Sequence, residues 1–129
     1  MLWMSNGEEN RLTVALLNEL MERWNEASAE GATCVVLASS SKKFFCNGVD
    51  LSETSKSPQL VLEKLVGVCR MIVTSPTPSV AFLNGHGVGG GAFFLFSSRF
   101  SSRKGLLLAL ACDYRVARKD KGFFFVPAM

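Results

Sequence analysis

The chain has 129 residues, of which 48% are hydrophobic and 19% are charged, and this balance excludes an intrinsically disordered protein. Its formal net charge of +3 comes from lysines and arginines spread along the chain, without the aromatic interleaving of a nucleic-acid-binding surface. We therefore expect one domain over residues 1–129 and no nucleic-acid partner.

The cysteines and the single histidine argue against a zinc site. Four cysteines lie far apart with no C-x-x-C pair, and His86 is the only histidine. We interpret the cysteines as reduced thiols of an intracellular protein. The N-terminus MLWMSNGEEN lacks the pattern of a signal peptide. Prolines, glycines and polar residues interrupt the longest uncharged stretch, so no membrane association is expected.

The first third of the chain predicts a strand, a helix and a second strand. Leu2–Met4 has the composition of a strand end. From Thr13 onwards, apolar residues recur at helical spacing, with Thr13 as the expected N-cap and Gly31 as the expected stop. TCVVLAS (33–39) is short and apolar on both faces, which is typical of a buried strand in a parallel sheet.

The middle of the chain predicts a loop, a second helix and another buried strand. SSSKKFFCNGVDLSE (39–53) has the composition of a loop. The second helix begins at Ser57–Pro58, with serine as the cap, and ends before Pro76. SVAFL (79–83) is the next buried strand, and the glycine-rich NGHGVGGGAFF (84–94) follows it directly.

The last third predicts a helix in LLLALAC (106–112), a strand in YRVA (114–117) and a strand-like end in FFFVPAM (123–129). The order of elements predicts an α/β domain with right-handed crossovers. Since nothing follows to cover the apolar FFFVPAM, we expect the chain to be truncated.

Gly85, Gly87 and Gly90 satisfy the G-x-G-x-x-G spacing of a dinucleotide-binding loop. SVAFL supplies the required preceding strand, and Asp113 lies at a tolerable distance for a ribose-binding acid. However, the clearest strand–helix–strand unit lies before the glycines and not after them. Dinucleotide binding is therefore the weaker hypothesis.

A second hypothesis uses two loops, FFCNGVDL (44–51) and NGHGVGGGA (84–92), each of which follows a predicted buried strand. Neighbouring parallel strands bring their carboxyl ends to one edge of the sheet, where α/β proteins bind ligands. Each loop can direct a backbone N–H to the same point. Two such amides form an oxyanion hole, which suits a thioester carbonyl that becomes an enolate.

Three segments, VVLASSSKKFFCNGVDLSE, PTPSVAFLNGHGVGGGA and LALACDYRVARKDKGFFF, resemble the crotonase superfamily of enoyl-CoA hydratases and isomerases. ACDYRVARKDKGFFFVPAM and FFCNGVDLS are most similar to the plant-type Δ3,Δ2-enoyl-CoA isomerases. The resemblance implies a fold of stacked β-β-α units, of which this chain matches the N-terminal half. It also implies fatty-acid β-oxidation, trimers or hexamers, and a peroxisomal location, with the mitochondrion or cytosol as alternatives.

The resemblance also implies the site residues. The N–H groups of Val49 and Gly90 would form the oxyanion hole. The substrate, an acyl-CoA thioester, would contact Arg11, Leu12, Cys46, Gly48, Asp50, Leu51 and Gly89. No cofactor is expected beyond the coenzyme A of the substrate, and no metal. Charge alone suggests Lys42 and Lys43 as further phosphate contacts.

The chain departs from the family pattern at the catalytic base. Phe93, or Leu107 if the intervening segment is looped out, stands where hydratases carry a glutamate, and no glutamate follows Glu63. The segment Phe93–Leu106 resembles an insertion. Loss of the general base lowers the reaction rate about 10²–10⁴-fold, so we expect little or no activity from this chain alone. The alternative is a non-catalytic acyl-CoA binder or an assembly partner of full-length subunits. His86 and Asp113 are expected to be structural.

Overall fold

The computed structural model describes residues 1–88, 108–109, 111–120 and 124–125. In chain order the elements are β1 (Leu2–Met4), α1 (Val14–Ala29), β2 (Val35–Ser39), β3 (Phe44–Cys46), α2 (Leu51–Lys56), α3 (Pro58–Thr74), β4 (Ser79–Leu83), β5 (His86–Val88), β6 (Tyr114–Ala117) and β7 (Phe124–Phe125). They form two parallel sheets, which confirms the predicted α/β class.

Helix α1 begins and ends where the sequence predicts. The Thr13 hydroxyl accepts a hydrogen bond from the Leu16 amide (3.1 Å), which satisfies one of the free amides of the first turn. Gly31 follows the helix with φ +80°, a conformation that glycine adopts without a steric penalty. The buried face of α1 carries Leu17, Leu20 and Trp24.

Helix α3 begins at Pro58 as predicted, but the expected cap is not formed. The side chain of Ser57 makes no capping hydrogen bond, so proline alone marks the start of the helix. The helix ends at Thr74, before Pro76. Its buried residues join those of α1, β2 and β4 in one hydrophobic core; they are Val61, Leu65, Val68 and Ile72.

The larger sheet has the strand order β1-β2-β4-β6, and all its neighbouring strands are parallel. Leu37 of β2 lies beside Leu2 of β1 on one side and beside Ala81 of β4 on the other. The predicted strands in LWM, TCVVLAS, SVAFL and YRVA are thereby confirmed. Their parallel order places the carboxyl ends of β2 and β4 at the same edge, as the two-loop hypothesis requires.

The prediction of a loop over residues 39–53 is wrong. This segment contains strand β3 and helix α2. The predicted glycine loop likewise contains strand β5, which pairs with β3 in the second sheet, of order β3-β5-β7. Strands of three residues are too short for a periodic pattern, and their stability comes from pairing with segments distant in sequence.

Several predictions fall on residues outside those described. They include the insertion Phe93–Leu106 and most of FFFVPAM. Within the described part, Leu108 and Ala109 are helical and buried, and Phe124–Phe125 form a strand, as predicted. No helix in the described ranges is long and apolar enough to cross a membrane.

Candidate functional site

The two sequence loops converge because β3 and β5 are parallel neighbours. Phe44 pairs with His86, and Cys46 pairs with Gly87. Beyond this pairing, one chain segment continues into Gly48 and Val49 and the other into Gly89 and Gly90. Gly89 and Gly90 lie outside the described residues, so the structure gives the geometry of one side of the predicted oxyanion hole.

Val49 lies on that side with its backbone held in place by Leu12. The Leu12 amide donates to the Gly48 carbonyl (2.8 Å), and the Leu12 carbonyl accepts from the Asp50 amide (2.8 Å). In such a parallel bridge the peptide groups alternate in direction, so the Val49 N–H points away from Leu12. Val49 is only 1% exposed, and no described residue accepts a hydrogen bond from its amide. A buried donor of this kind is suited to an external acceptor.

Gly48 and Cys46 form the bend that leads into Val49. Gly48 is buried and has φ +80°, which is costly for any residue with a side chain. Burial raises the pKa of the Cys46 thiol to about 12. Its sulfur lies 3.7 Å from the Gly48 carbonyl oxygen. Cys46 is therefore a neutral packing residue of the site and not a nucleophile.

Arg11 is a partly exposed cation above the same bend. Its guanidinium forms an ion pair with Glu9. One of its Nη atoms lies 3.4 Å from the carbonyl oxygen of Asn47 and 3.5 Å from that of Val49. The structure thus brings Arg11 and Leu12, predicted from a distant segment, into contact with the Cys46–Leu51 segment.

Asp50 is the N-cap of helix α2. Its carboxylate accepts hydrogen bonds from the Ser52 hydroxyl (2.6 Å) and the Glu53 amide (3.1 Å), and these bonds lower the pKa of Asp50. The carboxylate is therefore engaged in helix capping. Leu51 follows as an exposed apolar residue, 48% accessible to solvent at the start of α2.

Glu53 is a structural residue that the sequence analysis missed. The spacing of Asp50 and Glu53 is that of a capping box, a signal that would have predicted α2. In a capping box the Glu53 side chain would return to the Asp50 amide, but that amide is bonded to Leu12. The Glu53 carboxylate accepts instead from the Val14 amide (2.7 Å) and so caps α1.

The sequence analysis also missed Asn10 and Asn84, whose side chains hold the strands next to the site together through hydrogen bonds. The Asn10 amide group is fully buried and donates to the Ser39 hydroxyl (2.9 Å) and the Phe45 carbonyl (2.8 Å). Asn84 donates to the carbonyl of Ser39 (2.9 Å). Together these amides join the segment before Leu12 to β2, β3 and the end of β4. Asn10 has φ +50°, a left-handed conformation that the neighbouring sequence does not indicate.

Gly85 is required by close packing against the backbone of Lys43. A Cβ atom at this position would lie 2.6 Å from the Lys43 carbonyl oxygen, which also accepts a hydrogen bond from the His86 amide (2.8 Å). The His86 ring packs edge-on against Phe44, with ring centroids 5.6 Å apart. The first glycine of the G-x-G-x-x-G spacing thus serves the contact between β3 and β5.

Both described carboxylates after Glu63 are engaged by neighbouring groups. Asp113 accepts hydrogen bonds from the amide and hydroxyl of Ser79, at the amino end of β4, opposite the edge that leads to the site. Asp120 is ion-paired with Arg118 (2.6 Å). Asp113 is thus structural, as expected. In the described part of the chain, no group of three or more His, Cys, Asp or Glu residues could hold a metal ion.

Lys42 and Lys43 are exposed at the carboxyl end of β2. They line an open cavity of about 470 Å³ together with Ser5, Gly7, Glu8, Ser40 and Ser41. The Lys43 ammonium lies 3.9 Å from the Glu8 carboxylate, so part of its charge is already balanced. The structure gives no further support for phosphate binding by either lysine.

Residues 3–98 match the family model for enoyl-CoA hydratase/isomerase. The chain is 28% identical to "Enoyl-CoA delta isomerase 1, peroxisomal" of Arabidopsis thaliana, over 99% of this chain and 50% of that protein. It is 31% identical to "Enoyl-CoA hydratase domain-containing protein 2, mitochondrial" of Homo sapiens, over 84% of this chain and 34% of that protein. The crystal structure of an enoyl-CoA hydratase from Bacillus anthracis superimposes with a TM-score of 0.73 at 26% identity, covering 89% of this chain and 42% of that one. The chain thus spans half or less of the length of these relatives.

Proposed function

The chain belongs to the enoyl-CoA hydratase/isomerase family, and on that premise we propose that it binds an acyl-CoA thioester with the Val49 and Gly90 amides directed at the thioester carbonyl. The observation that carries this proposal is the Val49 N–H, which is buried, turned away from Leu12 and without an acceptor among the described residues. An amide held in this way gains most when negative charge develops on the carbonyl oxygen, as in an enolate.

The surrounding residues have supporting roles in this proposal. Leu12 and Gly48 hold the Val49 backbone in position. Cys46, Asp50 and Leu51 line the thioester beside it, and Gly89 accompanies Gly90 on the opposite side. The Arg11 guanidinium, 25% exposed, supplies positive charge toward the nucleotide end of coenzyme A. No cofactor other than the coenzyme A of the substrate takes part.

The names of the relatives support a proposal for the reaction class. Delta isomerases of this family are named as peroxisomal in Arabidopsis thaliana, and a hydratase-domain protein is named as mitochondrial in Homo sapiens. We propose that the family chemistry of this chain is the conversion of 3-enoyl-CoA to 2-enoyl-CoA in fatty-acid β-oxidation, with the peroxisome as its location. This chain alone is proposed to turn over little substrate, because Ser79 holds Asp113 at the amino end of β4 and Arg118 pairs with Asp120. In addition Phe93, or Leu107 if the intervening segment is looped out, stands where hydratases carry a glutamate.

A matched pair of ligands tests the oxyanion hole. One ligand is an acyl-CoA thioester, and the other is the S-alkyl-CoA thioether of equal length, which lacks only the carbonyl oxygen. We expect the thioester to bind about tenfold more tightly in isothermal titration calorimetry, since only its oxygen accepts from Val49 and Gly90. Equal affinities would contradict the proposal. NAD is titrated as a third ligand, and binding of NAD without binding of the thioester would favour the dinucleotide hypothesis.

The second candidate function is a non-catalytic binder or assembly partner of full-length subunits. It is favoured by the position of Asp113, which Ser79 holds at the amino end of the sheet and away from the site. Turnover of 3-enoyl-CoA by the purified chain at an ordinary enzyme rate would exclude this candidate. Co-purification with a longer relative would support it.

A further inference from the structure

The direction of the Val49 N–H is set by the peptide group to which it belongs. That planar group also contains the Gly48 carbonyl, and its C=O and N–H point in opposite directions. The Leu12 amide donates to this carbonyl (2.8 Å), so the place of Leu12 determines where the Val49 N–H points. The contact uses only the backbone of Leu12, and the place of Leu12 therefore depends on contacts made by its neighbours.

Asn10 is the neighbour of Leu12 whose side chain reaches β3. Its Nδ2 atom donates to the carbonyl of Phe45 (2.8 Å) and to the hydroxyl of Ser39 (2.9 Å), and its Oδ1 atom accepts from the Asn6 amide (2.9 Å). Both amide protons and the oxygen are thus bonded. Phe45 lies in the strand that leads into the bend, so the Asn10 side chain joins the two segments whose contact directs the amide.

The contacts of Asn10 lie inside the protein and are not interchangeable with bonds to bulk water. The residue is fully buried, so loss of its side chain leaves the Phe45 carbonyl without this donor. Its φ of +50° is a left-handed conformation, and among the described residues no other non-glycine residue has a positive φ. A residue in such a conformation persists only where the surrounding contacts determine it, and such residues occur often at functional sites.

We propose that Asn10 is a positioning residue of the oxyanion hole. Its bond to Phe45 holds Leu12 in place, and Leu12 in turn directs the Val49 N–H. The inference rests on the proposed function, because it requires that this N–H binds the thioester oxygen. A hydrogen bond weakens steeply as its donor angle departs from linearity, so a small shift of Leu12 reduces the interaction. Asn10 acts only through these contacts, since it is fully buried.

Asn10→Gly tests the positioning role. It removes the side chain and its three hydrogen bonds, while glycine adopts the left-handed φ without strain. The variant is titrated with the acyl-CoA thioester and with the S-alkyl-CoA thioether of equal length. The thioester preference of wild type, about tenfold, should fall to about threefold or less, because only the carbonyl oxygen senses the direction of the amide. The affinity for the thioether should stay within about twofold of wild type.

Ser79→Ala is the matched control. Ser79 is also fully buried, and its hydroxyl exchanges two hydrogen bonds with Asp113 (3.0 Å each) at the amino end of β4. Its loss destabilises another part of the sheet, so the thioester preference should remain about tenfold. Circular dichroism and urea titration establish that each variant is folded.

Asn10→Asp is a second variant at the same position. It keeps the shape of the side chain and its bond to the Asn6 amide, but an ionised carboxylate cannot donate to Phe45. This variant should lose the thioester preference as well, and it provides the test where Asn10→Gly does not fold.

A spectroscopic measurement follows the thioester carbonyl directly. Hydrogen bonds to its oxygen polarise the carbonyl and lower its stretching frequency, which infrared spectra of an isotope-labelled thioester resolve. We expect the lowered frequency in wild type and in Ser79→Ala, and a frequency closer to that of the free thioester in both Asn10 variants.

The outcomes separate the inference from the proposed function. If wild type prefers the thioester and the Asn10 variants keep the same preference, the positioning role is overturned and the proposed function stands. An equal loss of preference in Ser79→Ala would also overturn it, because general destabilisation would then explain the effect. If wild type shows no preference for the thioester, the proposed function fails and the inference fails with it.

Discussion

Gly48 shows how the conformation of one residue positions the proposed binding group. Its φ of +80° turns the chain so that the flanking peptide groups bond to Leu12 and the Val49 amide points the other way. A side chain at this position strains the backbone by about 1–2 kcal/mol. The same backbone cost applies at Gly31, which has the same φ but lies just after α1 and has open space around it.

The two glycines therefore make a matched pair of variants. We expect Gly48→Ala and Gly31→Ala each to lower the free energy of unfolding by about 1–2 kcal/mol in urea titrations. Only Gly48→Ala should also weaken acyl-CoA binding, by about tenfold, because it displaces the Val49 amide. Equal binding losses in both variants would show that general destabilisation, and not the position of Val49, controls affinity.

Asp50 makes the stability of the folded state depend on pH in the acidic range. Hydrogen bonds from the Ser52 hydroxyl and the Glu53 amide lower the pKa of Asp50 in the folded state. Its contribution to stability is thus present above the unfolded pKa of about 3.9 and is lost as the pH falls through the lower folded value. Asp50→Asn keeps a capping side chain but does not titrate in this range. The variant should be less stable than wild type at pH 7, and this difference should shrink below about pH 4. A difference independent of pH would contradict the role of the carboxylate charge.

At the scale of elements, helix α2 joins the site to helix α1. Glu53 belongs to α2, but its carboxylate accepts a hydrogen bond from the Val14 amide at the start of α1 (2.7 Å). Glu53→Ala should cost about 1 kcal/mol of unfolding free energy through the loss of this cap, and Glu53→Gln should cost less, since its oxygen still accepts. Glu63→Ala is the control, because Glu63 is exposed on α3 and should change stability by about 0.5 kcal/mol or less. Equal losses for the two alanine variants would contradict the capping role.

The longer elements could be predicted from the sequence because each carries its own pattern. Helices α1 and α3 repeat apolar residues over four turns or more, and β2 and β4 are apolar runs bounded by turn residues. Strands β3 and β5 have three residues each, and their pairing partner is distant in the chain. The resemblance predicted Val49 as a site residue. Asn10 could not be predicted, because three hydrogen bonds formed only in the fold determine its conformation.

At the scale of the whole molecule, the packing of the two sheets and the helices buries the thiols of Cys46 and Cys112 and partly buries that of Cys69, which favours their neutral state. Burial raises the pKa of Cys46 to about 12, and that of Cys69 and of Cys112 to about 11. The three residues come from β3, α3 and the segment before β6, so their neutral state depends on the intact core and not on one element. In the unfolded chain a thiol has a pKa of about 8.5.

This difference predicts a loss of stability in alkali. The folded state retains protons that the unfolded chain releases, so the thiol contribution is fully present below about pH 8.5 and is lost as the pH rises toward the folded values. Each thiol contributes a slope of up to about 1.4 kcal/mol per pH unit. Urea unfolding can be measured between pH 7.5 and pH 9.5, below the range in which tyrosine and lysine titrate. The free energy of unfolding should begin to decline near pH ~8.5. Cys46→Ala should reduce the slope, whereas Cys34→Ala, at an exposed position, should not. A slope that is equal in both variants and in wild type would show that the Cys46 thiol is not buried in its neutral form.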